Sequence, residues 1–187
     1  MTRNHDASLW ENSLLEFRNQ VGANSATPGG GAVAAVAATL AAALLRMVCT
    51  ISTARKQDAA MKAIATEVKI CEDKLAHCAE EDIRVFDRYM AARKAHGASA
   101  DADIQRCLLA CAEVPLTAAE AVVKLEAYAA EMVRNCPEFL SSDLATAQHL
   151  LDASRNALLA NVSINLTNLE ASEAKVAIKQ RLDALQR

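Results

Sequence analysis

Alanine is the residue that most restricts what this chain can fold into. It fills 41 of the 187 positions, whereas glycine occurs five times and proline three times. Alanine has the highest helix propensity of the amino acids, and glycine and proline are the two that interrupt helices. Only six residues are aromatic, although strands favour aromatic and β-branched side chains. We therefore expect an all-α fold, an antiparallel bundle of long helices.

The positions of apolar residues, caps and breakers predict the order of the helices. No internal repeat or linker divides the sequence, so residues 1–187 are expected to form a single helical domain. Pro115 is expected to kink or interrupt its helix. The first predicted helix spans 8–20, with Ser8 as its cap and Glu11 completing a capping box, and a loop at 22–31 follows it. Further helices are predicted at 30–52, 57–94 and 101–134, with a break at 96–100. Ser141 or Ser142 is expected to cap the last long helix, which reaches Leu169 or beyond and is followed by a tail helix.

Charge and targeting signals exclude several classes of protein. The formal net charge is −3 and implies no strongly basic face, so binding to nucleic acid is not expected. The first ten residues are polar and contain no apolar signal core, which favours a cytoplasmic protein. The uncharged stretch between Arg18 and Arg46 is interrupted at Pro28, and its apolar run at 32–45 is shorter than the ~20 residues that a membrane span needs. We expect this run to be a buried helix of a protein that does not enter a membrane.

The six cysteines are spread along the chain and form no Cys-x-x-Cys pair. Cys107 and Cys111 share a helix face at a spacing of four, but cysteine inside a helix is more often a small buried apolar residue than a metal ligand. In a reducing compartment the thiols are expected to stay free. The sequence therefore predicts neither a metal site nor a tightly bound cofactor.

The segment Thr27-Pro28-Gly29-Gly30-Gly31 leads directly into the most alanine-rich part of the sequence. Consecutive glycines let backbone N–H groups approach a ligand closely, and a helix N-terminus adds partial positive charge. This combination predicts a cradle for an anion or a polar ligand. The alternative is a sharp turn that lets the next helix enter a crowded core. Because alanine on several faces permits close packing, that helix is expected to lie centrally, at a subunit interface.

One acidic residue occupies an inward position of the long helix predicted at 57–94. Apolar residues there recur at alternating spacings of three and four, which is typical of a bundle seam. The register requires an inward residue at position 82, which is Asp82. A buried carboxylate without a partner is costly, so Asp82 either pairs with a basic residue or borders a cavity, where a raised pKa would suit proton transfer. The seam consists of Met61, Ile64, Val68, Cys71, Leu75, Cys78, Val85, Tyr89 and Ala92.

A stripe of polar residues runs along the last long helix. Ser154, Asn161, Asn165 and Asn168 share one face beside an apolar stripe. Side-chain amides can hydrogen-bond a planar heterocycle, but they can equally form a polar network between helices, which is the more common case. The spacing alone leaves both interpretations open.

Five segments in a fixed order resemble one family, the formiminotetrahydrofolate cyclodeaminase and methenyltetrahydrofolate cyclohydrolase family. The resemblance covers roughly residues 9–170, and the glycine segment followed by an alanine-rich helix is its most specific part. The segments are Thr27-Pro28-Gly29-Gly30-Gly31, Asp82-Ile83-Arg84-Val85-Phe86, Val114-Pro115-Leu116, Ser142-Asp143-Leu144 and Asn161-Val162-Ser163-Ile164-Asn165-Leu166.

The resemblance implies an all-helical homodimer that acts on a one-carbon unit bridging N5 and N10 of tetrahydrofolate. The cyclodeaminase reaction closes 5-formiminotetrahydrofolate to the 5,10-methenyl form and releases ammonia, and the cyclohydrolase reaction interconverts the methenyl and 10-formyl forms with water. Asp82 is then the catalytic proton carrier, and a tetrahydrofolate derivative is the substrate. The implied substrate-binding residues are Thr27, Pro28, Gly29, Gly30 and Gly31 of the loop, Arg55 and Lys56 for the glutamate tail, and Ser142, Asp143, Asn161 and Asn165 around the pterin ring.

Three segments depart from the family pattern. Arg55 and Lys56 keep a basic pair after the second helix, but the usual glycine and aromatic residue are missing and Asp58 adds a negative charge. The connection at 93–97 is altered, and 135–138 reads as extra length. Because loops carry specificity, two alternatives stay open. One is an enzyme of the same fold that acts on another pterin or amidine, and the other is a helical dimer that has lost catalysis and serves as an interaction module.

Overall fold

Six α-helices and two short 3₁₀ turns make up the part of the chain that the structure, a computed structural model, describes. That part comprises residues 8–56, 59–95 and 100–186. Residues 57–58 and 96–99, where the sequence predicts a helix start and a break, lie outside it. The helices are α1 (Leu14–Val21), α2 (Gly30–Lys56), α3 (Ala59–Lys94), α4 (Ala100–Met132), α5 (Ser141–Thr167) and α6 (Glu173–Leu185), and the 3₁₀ turns are Leu9–Glu11 and Glu138–Leu140.

Helices α2 to α5 form an antiparallel four-helix bundle. Each helix packs against its predecessor and its successor, and α5 closes the ring against α2. Short connections force consecutive helices to run in opposite directions. Helix α6 lies across α4 and buries Ile178 and Leu182. The prediction of an all-α antiparallel bundle is therefore confirmed. One fully buried leucine from each bundle helix marks the core: Leu45, Leu75, Leu125 and Leu158.

Helix α2 is the alanine-rich helix, and it is buried between its neighbours. Small side chains on its inner faces let α3 and α5 approach it closely. The stretch Gly30–Ala54 is long and apolar enough to cross a membrane by length and composition, and thus longer than the apolar run predicted at 32–45. Just over half of its most apolar window is buried inside the bundle, which accounts for that apolarity. The alanines that are at most 5% exposed are Ala32, Ala34, Ala35, Ala38, Ala41 and Ala42.

The N-terminal segment differs from the single helix that the sequence predicts. Ser8 caps only the 3₁₀ turn Leu9–Glu11, and the capping box is formed by Ser13 and Glu16 at the start of α1. A tertiary contact explains the difference. Glu80 of α3 accepts hydrogen bonds from the Ser8 hydroxyl (2.5 Å) and from the next backbone N–H (3.0 Å). These bonds fix the first turn on α3, so α1 begins only after it.

Helix α5 also begins differently from the prediction. Leu140 is its N-cap residue, and neither Ser141 nor Ser142 caps the first turn with its side chain. The Ser141 hydroxyl instead donates to the carbonyl oxygen of Glu138 at 2.6 Å and so joins the preceding 3₁₀ turn to α5. The helix ends at Thr167, two residues before the predicted end. These shifts move the ends of α5 but leave its direction and its packing faces unchanged.

Pro115 lies inside α4, which continues through it. Proline has no backbone N–H, so the carbonyl of Cys111, four residues earlier, loses its partner within the helix. The side-chain amide of Asn165 on α5 donates to this carbonyl oxygen at 2.7 Å. The bond satisfies a buried polar group that the proline leaves unpaired. The bond also favours the interpretation that Asn165 belongs to a polar network between helices.

We predict that Asn165→Leu destabilises the protein by about 1–3 kcal/mol, because it leaves the Cys111 carbonyl without a donor. In a Pro115→Ala background the backbone N–H of residue 115 returns, and the same substitution should cost less than half as much. Urea unfolding of the wild type, both single variants and the double variant measures this coupling. Equal costs of Asn165→Leu in the two backgrounds would contradict it.

Candidate active site

Asp82 lies where α2 begins, on the face of α3 that looks into the bundle. Its carboxylate rests directly against Gly31: a Cβ atom at that position would lie 2.7 Å from the Asp82 Cγ atom, closer than packed atoms allow. The backbone N–H of Ala32 donates a hydrogen bond to the carboxylate. The first turn of a helix attracts negative charge and offers unpaired N–H groups. The start of α2 therefore holds the Asp82 carboxylate, and only glycine at position 31 leaves room for it.

The surroundings of Asp82 change its protonation. Burial raises the pKa of its carboxyl group to about 6, although the hydrogen bond from Ala32 lowers it. In the described part of the chain, no ion pair involves Asp82, so the alternative of a structural salt bridge finds no support. Burial also raises the pKa of the Cys78 thiol to about 11 and that of the Cys111 thiol to about 12, with the charge of Asp82 contributing to both. These thiols stay protonated near neutrality, whereas Asp82 exchanges its proton there.

The raised pKa predicts how stability depends on pH. The folded protein binds the Asp82 proton more tightly than the unfolded chain does, so this group loses stabilising effect as pH rises from its ordinary pKa of 3.8 through about 6. Asp82→Asn removes the titration. The variant should match the wild type below pH 4 and exceed it in free energy of unfolding above pH 6, by at most about 3 kcal/mol. Urea unfolding at pH 4, 5 and 7 tests this, and a difference that does not change with pH would contradict it.

The loop before α2 is fastened to the same helix as Asp82. Thr27 is buried, and its hydroxyl donates to an Asp87 carboxylate oxygen at 3.0 Å. The Thr27–Pro28 peptide bond is cis. Asp87 lies five residues after Asp82, so α3 contacts both the loop and the first turn of α2. The sequence analysis missed Asp87, whose acidic side chain on a mostly polar face gives no periodic signal.

The end of α5 completes this end of the bundle. A Cβ atom at Gly30 would lie 3.5 Å from the Asn161 side-chain nitrogen, which is ordinary contact distance. The N–H group of that nitrogen donates a hydrogen bond to the carbonyl oxygen of Ala157 in the same helix, at 2.8 Å. Asn165 lies one turn further along α5, and its side-chain amide donates a hydrogen bond to the Cys111 carbonyl oxygen of α4. The structure thus brings eight of the predicted site residues to one end of the bundle. We call them the Asp82 cluster: Thr27, Pro28, Gly29, Gly30, Gly31, Asp82, Asn161 and Asn165.

Four predicted substrate-binding residues lie elsewhere in the chain. Ser142 and Asp143 stand at the start of α5, and Asp143 is 18 positions before Asn161, about 27 Å along the helix. Arg55 and Lys56 end α2, about 36 Å along its axis from its first turn, and their side chains lie outside the described part. Within one chain, the predicted binding residues are therefore divided between the two ends of the bundle.

Three residues on α3 that the sequence analysis did not assign to a site continue from Asp82. Phe86, Tyr89 and Arg93 follow it at spacings of four, three and four. The ring centres of Phe86 and Tyr89 are 5.7 Å apart in an edge-to-face arrangement, and the Arg93 guanidinium lies 5.8 Å from the centre of the Tyr89 ring. The seam register already contains Tyr89, and Arg93 lies one helical turn after it.

Comparisons with known proteins agree with one another. A family model described as formiminotransferase-cyclodeaminase matches residues 13–184. The formimidoyltransferase-cyclodeaminases of Sus scrofa and Gallus gallus are each 30% identical over 190 residues, which cover 96% of this chain and 35% of theirs. The chain thus spans about a third of the length of these curated relatives. The crystal structure of formiminotetrahydrofolate cyclodeaminase from Thermotoga maritima is similar with a TM-score of 0.86 and 26% identity, covering 96% of this chain and 90% of that one.

Proposed function

This chain belongs to the formiminotransferase-cyclodeaminase family, and from that premise we propose that it is a folate one-carbon enzyme. Its reaction would be that of a 5,10-methenyltetrahydrofolate cyclohydrolase, of a formiminotetrahydrofolate cyclodeaminase, or both. The observation that carries the proposal is Asp82, a largely buried carboxyl group with no ionic partner among the described residues. It is held against the first turn of α2, beside Gly31, where any larger residue would collide with its side chain.

Both reactions pass through a tetrahedral carbon between N5 and N10, and both need a proton moved there. In the hydrolysis, Asp82 would take a proton from water as the water oxygen bonds to the methenyl carbon, and return it to N5 as the C–N5 bond breaks. The remaining hydroxyl proton leaves to solvent as the C=O bond of the 10-formyl product forms. In the cyclodeamination, N10 attacks the formimino carbon and its proton passes to the imine nitrogen, which becomes an amino group. Asp82 would then donate a second proton to this amino group as its C–N bond breaks and ammonia leaves.

The protonation of Asp82 suits this role. A carboxyl group with a pKa of about 6 is present in both forms near neutrality, so it can act as acid and as base. The methenyl carbon carries positive charge, which a nearby carboxylate stabilises. Because one carboxyl group can carry the proton, the proposal invokes neither a metal nor a tightly bound cofactor, and it retains the expectation of a cytoplasmic enzyme.

An absorbance assay tests the proposed function. Purified protein is mixed with 5,10-methenyltetrahydrofolate, and the decay of its near-ultraviolet band is compared with the spontaneous rate. A second assay follows the appearance of the same band from 5-formiminotetrahydrofolate together with the release of ammonia. Acceleration in either assay supports a folate enzyme and identifies its reaction. The spontaneous rate in both assays would overturn the proposal.

We also propose that the protein is a homodimer joined through α2. Leu40, near the middle of α2, is 51% exposed, and Val33 on α2 and Ile164 on α5 are 37% and 61% exposed. A second copy that packs antiparallel to α2 would cover this apolar strip. It would also bring the Ser142 end of one chain towards the Asp82 cluster of its partner. Light scattering should give twice the 19.9 kDa mass of the chain, and a monomeric mass would overturn the proposal.

A further inference from the structure

The face of α3 that carries Asp82 continues past the start of α2. Positions 82, 86, 89 and 93 follow one another at spacings of four, three and four, so they share one helix face. Gly31 in the first turn of α2 is level with Asp82, so α2 does not extend along α3 beyond it. Consistently, the last buried residue of α3 is Val85. Beyond Asp82 this face is therefore not covered by α2, and Tyr89 packs against the edge of the core while both it and Phe86 stay partly exposed.

Two aromatic rings and a cation occupy this part of the face. Phe86 and Tyr89 are partly exposed and contact each other edge to face. Arg93 is exposed, and its guanidinium lies beside the Tyr89 ring. A guanidinium beside an aromatic ring is partly ordered and can still donate its N–H groups outward. From Asp82 to Arg93 the helix rises about 16 Å. A proton carrier, an aromatic surface and an ordered cation thus follow one another along one line.

We propose that Arg93 binds the glutamate carboxylates of the substrate, with the Phe86 and Tyr89 rings lying along the aromatic ring that joins the tail to the one-carbon centre. This inference rests on the proposed function. A folate places its reacting carbon, a benzoyl ring and one or two carboxylates in that order, which is the order of groups along the face. Arginine suits the last position because its planar fork can bind a carboxylate through two parallel hydrogen bonds.

The assignment adds a residue of the same chain to an expectation drawn from the sequence. Arg55 and Lys56, the cations first expected to bind the tail, end α2 at the other end of the bundle in the same chain. Lys94, next to Arg93, supplies a matched control. It lines a cavity of about 820 Å³ between α1, the loop before α2 and α3, together with Glu16, Thr27 and Met90, and so lies on a different face of the helix from Arg93.

Binding of two ligands tests the inference by calorimetry. Tetrahydrofolate carries the glutamate tail, whereas tetrahydropteroate lacks the glutamate and ends in a carboxylate directly on the benzoyl ring, short of the position of the tail carboxylates. Arg93→Ala should weaken binding of tetrahydrofolate about 10- to 100-fold, as expected for the loss of a charge-assisted hydrogen bond, and leave binding of tetrahydropteroate unchanged. Arg93→Lys should recover part of the loss. Lys94→Ala should change neither affinity by more than about twofold.

Each of the remaining outcomes contradicts the inference, the proposed function or both. The inference is overturned if Arg93→Ala weakens both ligands equally, if Lys94→Ala has the same effect as Arg93→Ala, or if the wild type binds the two ligands equally tightly. If the wild type binds neither ligand, the inference and the proposed function both fail. If the expected binding pattern appears but the enzyme assays give only the spontaneous rate, the proposed reaction fails and the role of Arg93 in tail binding stands.

Discussion

Asp82→Asn is expected to reduce turnover of 5,10-methenyltetrahydrofolate about 100-fold or more, which is the range for the loss of a general acid–base group. Asparagine has nearly the shape of aspartate, and its side-chain oxygen can still accept the hydrogen bond from Ala32. The variant should therefore fold normally and keep the start of α2 in place. What it loses is the proton that the Asp82 carboxyl group, with its pKa of about 6, exchanges near neutrality.

The matched control is Asp73→Asn, the same chemical change on the same helix. Asp73 is exposed and forms a surface ion pair with Lys69, and surface pairs contribute little to stability. This variant should keep wild-type turnover. The two variants are compared in the assay that follows the decay of the near-ultraviolet band of 5,10-methenyltetrahydrofolate, each at the same degree of substrate saturation. If Asp82→Asn retains near-full activity, Asp82 is not the proton carrier and the proposed mechanism is wrong, even if the protein binds folate.

The helical parts of this molecule could be predicted because their signals are local. The seam register placed Asp82 on an inward face from its own helix alone, and the structure has it against Gly31. The failures occur where two local patterns are equivalent. Ser8 with Glu11 and Ser13 with Glu16 have the same spacing, and the contact of Ser8 with Glu80, 72 residues away, decides which of them forms the capping box.

The candidate site was less predictable because it depends on distances between helices. Motif order does not reveal that Asp143 and Asn161 stand about 27 Å apart on one straight helix. Nor does it reveal that the side-chain amide of Asn165 donates its hydrogen bond to a carbonyl that Pro115 leaves unpaired. Residues such as Asp87, which accepts a tertiary hydrogen bond from Thr27, leave no periodic signal. The sequence also treats the three glycines of the loop alike, whereas the structure distinguishes them.

Gly31→Ala is expected to reduce turnover about 100-fold, because the added methyl group displaces the Asp82 carboxylate and a misplacement of ~1 Å in a catalytic group can cost that much. The Cβ atom would lie 2.7 Å from the Asp82 Cγ atom. Inserting a methyl group into a packed site should also lower the free energy of unfolding by about 1–3 kcal/mol. The assay with 5,10-methenyltetrahydrofolate measures the loss of turnover, and urea unfolding measures the loss of stability.

Gly30→Ala and a double variant separate this steric conflict from a general effect of alanine in the loop. At Gly30 the nearest atom, on Asn161, would be 3.5 Å from the new Cβ atom, and alanine favours a helix by up to about 1 kcal/mol. Gly30→Ala should therefore keep or increase stability. Combining Gly31→Ala with Asp82→Ala removes the group that the methyl displaces, so stability should return while activity stays lost. Equal destabilisation by Gly31→Ala in both backgrounds would mean that the glycine serves the turn and not the carboxylate.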